Sequence, residues 1–156
     1  MIENYKNIIG ERKVSELKII AEKLKNKSIL NVNSTFKGGG VAEILTKMIP
    51  IMESLGINIK WEIIKGNEEF YKVTKKFHNA LHGVKEDFSQ KDFEIFTETN
   101  NSNIEKIDMD KDIVFIHDPQ PIGLIKAKKD NKWFWRCHID LTNSDKRVYD
   151  FLKQFI

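Results

Sequence analysis

Ile29-Leu30-Asn31-Val32-Asn33-Ser34-Thr35 runs through Phe36-Lys37 into the triplet Gly38-Gly39-Gly40, and Val41-Ala42-Glu43-Ile44-Leu45 follows. The first segment is strand-like and turns polar at its end, while the last opens a helical pattern. A strand that feeds a glycine turn and then a helix leaves unpaired backbone N–H groups facing the turn. Backed by the helix dipole, such groups hold phosphate or other anions. The turn is not a dinucleotide fingerprint, because Glu43 stands where G-x-G-x-x-G requires glycine, and a P-loop lysine is absent. A tight turn without a ligand is one reading of the triplet. Three adjacent glycines exceed what a turn needs, which favours contact with sugar or phosphate.

Working outward, Val14, Leu17, Ile20, Ala21 and Leu24 share a helical face within residues 11–25. After the glycine turn the periodicity predicts a helix over 41–55, closed by Gly56, and then a strand over 57–64. Gly66-Asn67 opens a helix through Phe70, Val73, Thr74, Phe77 and Leu81 that stops near Gly83. Residues 85–107 predict one or two short helices, with Asn100-Asn101-Ser102-Asn103 as a turn signal among them. Residues 112–117 read as a buried strand, and Pro119 and Pro121 impose an extended turn after it. A short helix over 122–129, a strand over 132–138 and an amphipathic helix over 145–155 complete the pattern.

Strands alternating with helices predict an α/β fold: a Rossmann-like, mostly parallel sheet with helices on both faces, in a single domain over 1–156. Ligands of such sheets gather outside the carboxyl ends of the strands, where the strand order reverses. Asn33 to Gly40, His117-Asp118 and His138 to Asp140 all fall at such ends.

Composition narrows the partners. The 26 basic and 23 acidic residues leave a formal charge of only +3, with scattered lysines, which argues against nucleic acid. The run Lys126-Ala127-Lys128-Lys129 reads as a solvated helix end. A single cysteine, Cys137, points to a reducing cytoplasm, and neither a signal-peptide core nor a bilayer-spanning run is present, so no membrane is expected.

Among the candidate groups, His117 and Asp118 read either as a histidine hydrogen-bonded at a strand end or as a polar pair for sugar hydroxyls. Arg136, His138 and Asp140 alternate, so on a strand they share one face. Charges there are costly unless paired or used, and an Arg136–Asp140 ion pair is the structural alternative. His78 and His82 lie four residues apart on a predicted helix, but no zinc-protease glutamate follows His78 and no metal site is expected. Cys137 reads as a small core residue, and nothing forms a nucleophilic triad.

With these segments in place, the sequence resembles the trehalose synthase and trehalose phosphorylase group of retaining glycosyltransferases. The resemblance rests on four motifs, in order from about Tyr5 to Ile156. They are Val32-Asn33-Ser34-Thr35 with Gly38 to Leu45, Val73 to Leu81, His117-Asp118-Pro119-Gln120-Pro121, and Trp133 to Leu141. It implies the N-terminal, acceptor-side half of a two-domain GT-B fold that transfers glucose with retention. It implies a nucleotide-diphosphate glucose donor and glucose acceptor in the synthases, or glucose 1-phosphate and phosphate in the phosphorylases, and no further cofactor.

By resemblance, His138 orients the transferred sugar and Asp118 binds its hydroxyls, the two residues closest to the chemistry. Gly38, Gly39 and Gly40 approach the donor phosphates, with Arg136 on the same side. Asn33, His117, Gln120 and Asp140 join the sugar-binding rim, and Thr74, Lys75, His78 and Asn79 line the acceptor side. His82 departs from the glutamine expected after Ala80-Leu81. The resemblance also implies a truncated chain, whose C-terminal donor domain or a complementary chain would complete the site, with a homodimer as the expected association. Because no protein nucleophile is required, the protein's task is positioning and charge stabilisation.

Overall fold

In the computed structural model, which describes Met1–Ile156, four strands form one parallel sheet in the order β2-β1-β3-β4. They are β1 (Ser28–Asn33), β2 (Asn58–Ile63), β3 (Ile113–His117) and β4 (Lys132–Arg136). Ser28 pairs with Asn58 on one side of β1, and Ile29 with Ile113 on the other. The chain moves from β1 outward to β2, then crosses back over β1 to reach β3, so strand order reverses between β1 and β3. The amino ends of those central strands are tied by Asp112. Its carboxylate accepts from Ser28 N, Ser28 Oγ and Lys27 Nζ, each at 2.9 Å, and these bonds hold it well below the usual carboxylate pKa.

Helices cover both faces. Helices α1 (Lys6–Ile9), α2 (Glu11–Glu22) and α3 (Gly40–Ser54) lie before and between the first two strands. Ala21 of α2 packs with Ile29, Ile57 and Ile59, and Met52 of α3 closes on the same cluster. The opposite face carries the larger core. There α4 (Glu68–Leu81), α5 (Gln90–Ile104) and α6 (Lys146–Lys153) pack on Leu30, Val32, Val114 and Ile116. Phe77 sits at its centre, with the rings of Phe88, Phe93, Phe96 and Phe151 all within 5.8 Å centroid to centroid. No helix is long and apolar enough to cross a membrane.

The α/β expectation with a parallel sheet holds, and several local boundaries move. Asn67 caps α4 by accepting from Phe70 N at 2.9 Å, as its place after Gly66 predicts. The short helix after Pro121 is a 3₁₀ segment, Ile122–Ala127. The expected turn at Asn100–Asn103 does not exist, because α5 runs unbroken through it. Both asparagines are buried and spend their amides on neighbouring loops. Asn103 bonds the N–H and C=O of Lys65, and Asn100 donates to the carbonyls of Phe96 and Gln120. Asparagine is a poor helix former in water, but these tertiary partners override the propensity.

Candidate functional site at the strand-order switch

Side-chain alternation puts Asn31 and Asn33 of β1 on the face that also bears Trp61 of β2, His117 of β3 and Arg136 of β4. Asn33 is buried and satisfied: its Oδ1 accepts from Trp61 Nε1 at 2.7 Å, and its Nδ2 donates to Thr35 O at 2.8 Å. The asparagine therefore shapes the start of the glycine turn. Phe36 in that turn packs edge-on against Trp61, with ring centroids 4.9 Å apart.

The turn itself separates the three glycines. Gly38 and Gly39 adopt φ of 76° and 84°, where a side chain is strained. Gly40 is the first residue of α3, has no positive φ, and a Cβ there would meet nothing within 4 Å. Two glycines are thus demanded by the backbone and the third is not. Beside them a groove of about 470 Å³ runs along Lys37, Ala42, Glu43 and Thr46. A larger cleft, about 660 Å³, opens at the other edge of the sheet among Lys23, Lys27 and Lys132, far from the carboxyl ends of the strands.

At the end of β3, His117 is 2% exposed, and its Nε2 lies 2.9 Å from Asn31 Oδ1. Its Nδ1 lies 3.4 Å from Nε2 of the exposed His138, with the two ring planes 22° apart. Burial, helped by His138 and Arg136, pushes the His117 pKa down to about 4. Asp118 follows in the left-handed region at φ 62°, the one non-glycine residue with positive φ. Three bonds hold it there. Its N–H donates to Arg136 O at 3.0 Å, its C=O accepts from Trp135 Nε1 at 3.0 Å, and its carboxylate accepts from His138 N at 2.7 Å. Strain of this kind persists only where surrounding structure over-determines it, and it clusters at functional sites.

The structure brings His117, Asp118 and His138 together, and Asn33, which leads into the glycine turn, lies on the sheet face that bears His117. Strand β4 ends at Arg136, so Arg136, His138 and Asp140 do not alternate along one strand. No Arg136–Asp140 ion pair forms: Asp140 instead accepts from Thr142 N and Oγ1, at 2.9 and 2.6 Å, while Arg136 is exposed. The Pro119–Pro121 turn is packed inward, and the Gln120 carbonyl accepts from Asn100.

On α4, Thr74 is buried with its hydroxyl on Tyr71 O, Asn79 donates to Glu86 at 2.7 Å, and Lys75 is exposed. His78 stacks edge-on with His82 at 4.8 Å. Burial, then His82 and Lys75, lower its pKa against the opposing pull of Asp118. No group of three His, Cys, Asp or Glu side chains is placed to hold a metal ion. Burial pushes the Cys137 thiol up, so it is a poor nucleophile, as a small packed cysteine should be. Asn31 and Trp61 escaped the sequence reading; the available signal was a pair of asparagines at i and i+2 inside an otherwise apolar strand.

Fold and polar cluster together define a Rossmann-like α/β domain of the doubly wound type, with its buried polar groups gathered where the strand order reverses. The family described as "Trehalose synthase, N-terminal domain" matches residues 31–156. The chain belongs to that family, homologous to the trehalose synthase glycosyltransferases, and is the Rossmann-like N-terminal half of a GT-B fold. It is 45% identical to a trehalose synthase of Pyrococcus horikoshii over 158 residues, covering 99% of this chain and 38% of that protein. Against a Thermococcus litoralis trehalose synthase the identity is 46%, with the same coverage. A trehalose phosphorylase of Pleurotus sajor-caju is 26% identical, over 91% of this chain and 21% of that protein. The chain therefore spans about 38% of the length of the synthases it matches.

Proposed function

We propose that this domain is the acceptor side of a retaining glucosyltransferase that forms trehalose from a nucleotide-diphosphate glucose and glucose. The acceptor sugar sits at the carboxyl edge of the sheet, between β1 and β3. The observation that carries the reading is the hydrogen-bonded group His117, Asp118 and His138 at the strand-order switch, where open α/β sheets hold their ligands. His138 presents an exposed imidazole whose backbone is clamped by Asp118, which suits it to meet a sugar hydroxyl in one orientation.

Gly40 supports a donor-phosphate role for the turn, since neither its φ nor its surroundings require glycine and a bare backbone lets an anion approach. The exposed Arg136 guanidinium at the end of β4 adds positive charge near that edge. Higher identity to the synthases than to the phosphorylases favours the nucleotide sugar as donor over glucose 1-phosphate. A second domain, in the same chain or a partner, encloses the donor.

The test is a glucose titration followed by amide shifts. Saturating glucose is expected to move Gly38, Gly39, Gly40, Asp118 and His138. If those amides stay still, the sugar does not bind at this edge. Trehalose formation with UDP-, ADP- or GDP-glucose, and with glucose 1-phosphate, then separates synthase from phosphorylase once the donor domain is supplied.

A further inference from the structure

Asn31 lies in the middle of β1 with 1% exposure, and its Nδ2 has no hydrogen-bond partner. Its Oδ1 faces His117 Nε2, and His117 Nδ1 faces His138 Nε2. An amide, a buried imidazole and an exposed imidazole thus form one line from the core to the rim. A neutral imidazole has one N–H and one lone pair, so the sense of one bond in this line dictates the next. With its pKa lowered to about 4, His117 is neutral at pH 7.

If Asn31 presents Oδ1, His117 carries its proton on Nε2, and its Nδ1 lone pair accepts a hydrogen bond from His138 Nε2–H. His138 Nδ1 is then a lone pair. If the amide turns over, Nδ2 donates to His117 Nε2, His117 Nδ1–H donates outward, and His138 carries its proton on Nδ1. Heavy-atom positions are the same in both senses. The other amide atom is unpartnered either way, so nothing on the far side of Asn31 locks the choice.

We propose that Asn31 and His117 are positioning residues that set which ring nitrogen of His138 carries its proton, and hence whether His138 meets a sugar hydroxyl as donor or acceptor. The second half of that statement rests on the reading of His138 as a sugar contact.

Long-range ¹⁵N–¹H correlation spectra of the ligand-free chain at pH 7.5 report the tautomer of each histidine. Asn31→Asp offers His117 only an acceptor and is expected to put both His117 and His138 wholly in the Nε2–H form. His117→Phe keeps an aromatic ring beside Phe115 but cuts the line. It is expected to release the His138 ring nitrogens to solvent-averaged values and to weaken glucose binding by about two- to tenfold, the loss of one neutral hydrogen bond. Asn31→Asp also buries a carboxylate and can unfold the chain, in which case His117→Phe carries the test alone. His138 ring shifts that are identical in the wild type and in every folded variant overturn the proposal. If the His138 tautomer responds to these variants but glucose moves no amide, the relay stands and the sugar-site reading falls. If glucose binds while the tautomer is indifferent to both variants, the reverse holds.

Discussion

Replacing Asp118 by glycine and by alanine separates the strain at the end of β3 from the hydrogen bond made there. Both substitutions remove the carboxylate that accepts from His138 N at 2.7 Å, so both lose that charge-assisted bond equally. Both keep the backbone bonds to Arg136 and Trp135. They differ in what φ of 62° costs. Alanine pays about 1–2 kcal/mol for the left-handed region, and glycine does not. Against this, alanine gains about 0.4–1 kcal/mol over glycine because its unfolded chain has less freedom to lose. The net places Asp118→Gly ahead of Asp118→Ala by roughly 0.8 kcal/mol, the reverse of their order at ordinary positions. Urea unfolding followed by tryptophan fluorescence reads the difference, with Trp135 reporting from the carbonyl of the mutated residue. For a domain of this size it corresponds to a shift of roughly 2–3 °C in Tm. If alanine is as stable as glycine or more so, residue 118 is not held in the left-handed region and the clamp described above is wrong.

Other perturbations test other parts of the molecule. Phe77→Ala empties the centre of the aromatic cluster and is expected to cost about 3–5 kcal/mol, read as a lower urea midpoint. Gly39→Ala, at φ 84° and ψ 153°, is expected to destabilise by about 1–3 kcal/mol, whereas Gly40→Ala leaves the urea midpoint unchanged or raises it and weakens phosphate-bearing ligands. The stability contributed by neutral His117 is fully present above its unfolded pKa of about 6.5 and is lost as pH falls toward its folded pKa of about 4, since the unfolded chain binds the extra proton in that window. Unfolding midpoints between pH 7 and pH 4 should fall less steeply in His117→Phe than in the wild type.

Much of the fold was legible because its signals are local. The strand, glycine turn and helix over residues 28–54, the Asn67 cap and the apolar run of β3 each follow from neighbours in sequence. What escaped depends on distant partners. Helix α5 survives its asparagines only because Lys65 and Gln120 come to meet them, 38 and 20 residues away in sequence. Its start did carry a readable sign, the Ser89–Asp92 capping box. The site divides in the same way. His117, Asp118 and His138 stood out as polar residues after apolar runs. Asn31 becomes informative only when β3 lies beside β1 and His117 reaches it across 86 residues. The alternation expected through His138 failed because β4 stops at Arg136, where the chain turns to let Asp118 bond the His138 N–H.

The central pairing of β1 with β3 also governs how the molecule comes to be folded. Ser28 and Asp112, which lock the amino ends of those strands, are 84 residues apart, so the sheet's middle cannot close until that intervening length has been made. At roughly 5–20 residues per second, β1 waits about 4–17 s on the ribosome before β3 exists. During that wait it can pair only with β2, leaving one apolar edge open. Parallel, non-local pairing is slow in any case, and an unpaired edge invites aggregation. Substitutions that delay β3, even when neutral to the finished fold, should therefore show first as lost soluble yield.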